Sequence, residues 1–377
     1  MNDDRHTITS KGLSATVLAH GAELCSLKTA EGLELLWQAG PEWRRHAPLL
    51  FPIVGRLQGD QLHHAGKSYP MTQHGFARDS RFDWIEREND FCRLTLSDDS
   101  DTRSRYPFAF RFTMTYTLRE TDLEVAFEIE NPGDETLPAS VGGHPAFNWP
   151  LLPGMAKESY SIHFSDAETA PIRRLKDGLL RAKPVPSPIA GKSLALSERL
   201  FDDDAIILDR LASKSVRYFA DRGPALEISW KDFRELGIWS KPGGAPFLCI
   251  EPWRGFASPS DFDGEFSSKP GLMHIKPGEK RALTYRIGVR QPHAISGTLP
   301  SNCERRAQGC LRTGRSRSAA PGDIAVGPDQ HGAIAAMKRY LVKGRHEVTS
   351  ISCETLEGAV LSKMRELAKR VGTRERG

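Results

Sequence analysis

The sequence predicts an all-β protein: a large antiparallel β-sandwich over residues 1–290, followed by a basic, mostly disordered and partly helical tail over 291–377. Three observations predict it. Short runs rich in β-branched and aromatic residues recur with turn signals at intervals of roughly ten residues. Helical periodicity is weak before residue 290, and the strand pattern stops abruptly after it.

Residues 13–19, 23–29 and 33–37 open the series as strands. Residues 82–86 and 91–96, joined through Asn89-Asp90, read as a hairpin. So do 110–118 and 123–129, joined through Arg119-Glu120-Thr121-Asp122 and closed by Asn131-Pro132-Gly133. Residues 216–220, 225–230, 247–250 and 281–289 complete the set, and only 194–201 and 231–236 offer short helical turns. The stretch 291–329 is rich in Gly, Pro, Ser and Arg, with Arg305, Arg306, Arg312, Arg315 and Arg317, and is too polar to offset chain entropy. Beyond it Leu356, Val360, Met364, Leu367 and Val371 recur at helical spacing. That pattern is either a marginal helix on a peripheral extension or a docking helix.

Composition narrows the function class. Hydrophobic residues make up 39% and charged residues 27%, as in a soluble globular protein. There is no run of about 18 apolar residues, so no membrane span is expected. The N-terminus lacks a basic stretch followed by an apolar one, which places the chain by default in the cytoplasm. The net charge of +4 comes from the tail, where 15 Lys and Arg face 8 Asp and Glu; the body carries 37 against 40. A nearly neutral body suits a neutral small molecule and gives no footing for nucleic acid. The six cysteines form no CxxC, and in a reducing compartment they read as free thiols.

Several motifs fail. Gly66-Lys67-Ser68 ends like a P-loop, but the glycine required five residues earlier is Gln61. Neither HExxH nor GxSxG occurs. His63-His64 sits on a strand, where neighbours face opposite ways, so neither a metal site nor any cofactor is expected.

Four segments place titratable residues among glycines, prolines and aromatics: APLLFPIVGR at 47–56, QHGFAR at 73–78, GGHPAF at 142–147 and CIEPW at 249–253. Each alone has a plain structural reading. A histidine beside glycine is commonly a hydrogen-bonded structural residue, and Glu251, at the end of an apolar strand, could be salt-bridged to an arginine. A carboxylate there is costly unless paired or functional.

Taken together, in this order and spacing, the segments resemble the aldose 1-epimerase (galactose mutarotase-like) family, most nearly its LacX-like branch, over roughly residues 7–290. The resemblance implies a β-supersandwich and an isomerase that interconverts the α and β anomers of a sugar. It implies Glu251 as general base, His144 as general acid and His74 as the histidine near the ring oxygen, with the acid and base on opposite sides of the hemiacetal carbon. Arg56 and Arg78 would contact substrate. So would an aspartate, Asp204 by choice, with Asp202 and Asp203 as rivals. Trp253, Phe147, Trp149 and Phe76 flank the expected site and are candidates to stack on sugar, or else core aromatics. The loop 150–188 is expected to set specificity. Two other readings stay open: a hexose-phosphate mutarotase, and a sugar-binding module without turnover.

Overall fold

The computed structural model describes residues 4–290. The disorder and helix expected beyond residue 290 lie outside the described residues.

The larger sheet has nine strands. In spatial order they are Ser193–Ala195, Ser161–Phe164, Ser215–Phe219, Ala225–Lys231, Lys280–Arg290, Asp122–Glu130, Arg111–Arg119, Phe91–Ser97 and Asp83–Arg87. Neighbours run antiparallel. Strict alternation builds it: in Asp122–Glu130 every second residue is buried, which puts Leu123, Val125, Phe127 and Ile129 on one face. The hairpin to Arg111–Arg119 turns through Glu120 at φ 51°, where the sequence put the turn.

A second sheet of six strands carries the site. Its order is Ile206–Leu208, Glu235–Trp239, Phe247–Arg254, Val141–Gly143 and Leu49–Leu50, with Ala146–Asn148 also pairing to Phe247–Arg254. Its inner side chains Leu236, Ile238, Leu248 and Ile250 share one core with Phe112, Phe127 and Tyr285 of the larger sheet. The expected β-sandwich is therefore present. Strand Phe247–Arg254 differs from the rest, because its first seven residues are all buried. One face meets the core. The other is covered by Trp37, Trp43, Trp239 and their neighbours, so alternation is lost.

Two local expectations change. Residues 33–37 make only isolated bridges, because the Glu34 carboxylate takes the backbone N–H groups of Leu27 and Leu36 in place of a ladder. Residues 231–236 form no helix: Asp232 turns at φ 67° between strands Ala225–Lys231 and Glu235–Trp239. Within 194–201, a 3-10 turn spans Glu198–Phe201. Among the described residues no helix is long and apolar enough to cross a membrane.

Candidate active site

Glycines bring the site together. Gly142 lies opposite Trp253 in the register, and a Cβ there would meet the indole at 2.6 Å. Gly143 faces the other way, onto Tyr285 at 2.7 Å. His144 follows, on the same side as Gly142, anchored by its N–H donating to the Pro48 carbonyl at 3.1 Å. Gly237 lies opposite Glu251, and a Cβ there would sit 2.4 Å from the Trp253 ring. The indole thus lies across two bare stretches of backbone. Gly237→Ala should lower the unfolding free energy by about 1–3 kcal/mol, the usual cost of overpacking. A urea midpoint unchanged from wild type would contradict this.

Cys249, Glu251 and Trp253 alternate onto one face of a single strand, away from the main core. The Glu251 Oε2 lies 3.2 Å from the His144 Nε2, with both side chains buried. The two groups implied to stand on opposite sides of a sugar are thus in direct contact. Burial pushes the Glu251 carboxyl well above its usual range; the Trp253 indole partly offsets this, and the Asp204 charge adds to it. Burial also lowers the His144 imidazole to about 3, assisted by Arg78 and Arg45. The geometry favours one proton shared by the pair, since burial penalises either net charge.

His74 stands edge-on to His144, with ring centroids 5.6 Å apart. It is held in the left-handed region at φ 68°. Its N–H donates to the Gly55 carbonyl at 2.7 Å, and its own carbonyl accepts from Phe51 at 3.3 Å. The Gly55 N–H donates to His74 Nδ1 at 3.1 Å. A backbone N–H can only donate, so Nδ1 carries the lone pair and the proton of the neutral ring sits on Nε2. Packing depresses the His74 pKa well below its usual value, with His144, Arg78 and Arg45 adding to the effect. His74 is therefore a neutral donor.

Trp43 lies over His144 at 5.0 Å, and Trp239 meets it edge-on at 5.8 Å. Both indoles are half-buried. Neither was singled out in the sequence, because an isolated tryptophan carries no pattern. Trp239 sits opposite Cys249 in the register, which no local signal encodes. Phe147, Trp149 and Phe76 are at most 2% exposed and belong to the main core, so they cannot stack on a ligand.

Arg78 flanks the histidines. It donates to the Gln73 carbonyl at 2.6 Å, and burial lowers its pKa to about 10. Arg45, also absent from the sequence reading, pairs with Asp79 at 2.9 Å and contributes charge to both histidines. Arg56 is held differently: it donates to both oxygens of Asp60, at 2.6 and 2.5 Å, and reaches the Asp177 carbonyl. The structure shows no contact between Arg56 and the histidine–carboxylate cluster. Of the three aspartates, Asp203 is tied to Arg181 and Asp202 is exposed. Asp204, turned at φ 63°, is the one whose charge reaches Glu251.

One ligand-type atom each from His144, Cys249 and Glu251 lies within 4.8 Å of the others. The sequence offered no such set, since strand pairing alone joins residues so far apart. His63 and His64, weighed there as a pair, have separate partners in Ser68 and Glu135.

A profile of the aldose 1-epimerase family matches residues 4–280. The chain belongs to the aldose 1-epimerase family. LacX of Lactococcus lactis, in both plasmid and chromosomal forms, is 33% identical over 280 residues, which cover 71% of this chain and 94% of LacX. A galactose mutarotase related enzyme from Lactobacillus acidophilus superposes with a TM-score of 0.72 at 36% identity, over 76% of this chain and 98% of that one. A galactose mutarotase-like protein from Lactobacillus casei gives 0.71 at 28%, over 76% and 100%. Among aldose 1-epimerases this chain falls in the LacX-like branch.

Proposed function

We propose that the protein is a mutarotase that opens and recloses the ring of an aldohexose, with Glu251 and His144 as the acid–base pair and His74 as a neutral donor to the sugar. The observation that carries this is the 3.2 Å contact between Glu251 Oε2 and His144 Nε2, with the Trp43 and Trp239 indoles packed on the histidine. Ring opening takes a proton from the anomeric hydroxyl and gives one to the ring oxygen. Those two oxygens share one carbon, so two proton-handling groups in contact can address both. At rest burial favours the carboxylic acid–imidazole form, and passing its one proton across the 3.2 Å contact gives the carboxylate–imidazolium form; as Glu251 then accepts from the sugar and His144 donates to it, the pair returns to carboxylic acid–imidazole. Its net charge stays constant, so no uncompensated charge is created in a buried site. Rotation about C1–C2 and reversal of the transfers give the other anomer. Each positioned transfer contributes about 10²–10⁴-fold. Asp204 and Arg78 would meet sugar hydroxyls, and Trp43 and Trp239 its C–H faces. Arg56 retains a substrate role only if a sugar draws it from Asp60.

A phosphorylated hexose is the second reading, favoured by the two guanidiniums, Arg45 and Arg78, beside the histidines. Against it, Arg45 is already paired with Asp79, and Arg78 donates to Gln73. We expect polarimetry to show faster approach to anomeric equilibrium with glucose or galactose than with glucose 6-phosphate. Acceleration of the phosphate ester alone would establish the second reading. Tight sugar binding with no acceleration of either would leave a binding module.

A further inference from the structure

We infer that the same site binds a thiophilic divalent cation, zinc above all, through His144, Cys249 and Glu251, in competition with the sugar. Cys249 has no part in the proton transfers, yet it stands beside the acid–base pair on the same face of its strand as Glu251. Its side chain is fully buried, and it is one of three free cysteines among the described residues. The neighbouring side chains on its cluster are Ala146, Ala245, Phe247, Trp37, Trp43 and Trp239, against which any small apolar residue would pack.

The geometry fits a metal. Tetrahedral zinc, with bonds of about 2.0–2.3 Å, holds its ligand atoms roughly 3.3–3.8 Å apart. The Glu251–His144 pair is already at 3.2 Å, and the full set within 4.8 Å. A second observation points to a ligand: Glu251 Oε2 is buried with no hydrogen-bond donor beyond the proton it shares with His144 Nε2. One nitrogen, one sulfur and one oxygen suit zinc, while magnesium and calcium prefer all-oxygen sites. Three protein ligands leave a fourth position for water. His144 Nδ1 lacks the outer acceptor that normally stiffens a metal-bound histidine, so binding is reversible rather than structural.

Binding is a proton-releasing exchange. The cation displaces the thiol proton of Cys249 and the single proton of the Glu251–His144 pair, so two protons leave and affinity rises with pH. Occupancy removes both proton-handling groups from use. The metal affinity stands on ligand geometry alone; inhibition of turnover rests on the mutarotase reading above.

The test uses full-length protein without a metal-binding tag. Calorimetric titration of wild type with ZnCl2 should show one equivalent that MgCl2 does not reproduce. Cys249→Ala should weaken it by about tenfold or more, a direct ligand being lost. CoCl2 should give a thiolate-to-cobalt charge-transfer band in wild type that the variant lacks. Zinc should inhibit wild-type mutarotation competitively with galactose and reversibly with a chelator. Cys249→Ala should keep the basal rate and resist zinc. If Cys249→Ala does not fold, Glu251→Gln must show the same loss of zinc affinity. Zinc binding unchanged in both variants, or no zinc binding tighter than magnesium, overturns the site. Zinc binding that depends on Cys249 in a protein without mutarotation would sink the functional reading and keep the metal site.

Discussion

Glu251→Gln removes the accelerated mutarotation, by about 10²–10⁴-fold for loss of one positioned proton transfer, and leaves the fold at least as stable. Glutamine keeps the shape of the side chain and loses only its ability to take a proton. The stability half follows from burial. Glu251 is 1% exposed, and its Oε2 has no hydrogen-bond donor beyond the proton shared with His144. A carboxylate in that setting costs free energy that a neutral amide does not. Its folded pKa is raised above the ordinary value of 4.5. Below that value folded and unfolded chains are both protonated, and wild type carries no penalty. As pH rises past it the unfolded carboxyl ionises first, and wild-type stability falls relative to the variant. Thermal unfolding from pH 4 to 8, beside polarimetry at each pH, checks both halves. A variant that unfolds earlier than wild type at pH 8, or that turns over at the wild-type rate, contradicts the argument.

His144→Asn should produce a loss of similar size, and the double variant Glu251→Gln/His144→Asn should be little worse than either single one. In the proposed mechanism the two groups handle one shared proton in contact, so removing either would disable the transfer, and the effects should not add. Full additivity in the logarithm of the rate would show that they act separately. Wild-type activity should follow a bell-shaped pH profile whose two limbs belong to the pair. A second proton blocks the base at low pH, and loss of the shared proton leaves no acid at high pH. The stability sign is opposite to that of Glu251. The folded pKa of His144 is depressed from 6.5 to about 3. Above 6.5 both states are neutral and its contribution is complete. As pH falls from 6.5 towards 3 the unfolded histidine gains a proton that the folded one refuses, and stability is lost. His144→Asn removes that term, and its unfolding temperature should fall less steeply over this window.

Much of the fold could be read along the chain because local pattern and tertiary burial agree. Strands Arg111–Arg119 and Asp122–Glu130 bury alternate residues and turn at Glu120, as their spelling predicts. Strand Phe247–Arg254 shows an apolar run with one carboxylate, because both its faces are covered. Glu251 stood out for that reason, as a charge where burial makes charge expensive. The glycines around His144 also had a physical signature, since only a residue without a side chain lets Trp253 and Tyr285 lie where they do.

The sequence by itself determined the two-sheet β architecture, the family, and the identity of the costly buried groups, because each leaves a local mark in periodicity, turn chemistry or motif. The tertiary structure alone decided which groups meet. Register sets Trp239 beside Cys249 and Gly237 beside Glu251; chain return brings Trp43 and Arg45 to the histidines; Asp60 holds Arg56, and the core absorbs Phe76, Phe147 and Trp149. Apart from the local Arg56–Asp60 pair, such pairings join residues from about ten to about a hundred positions apart. They are fixed by packing and strand pairing summed over the whole sandwich, so no short stretch of sequence contains them.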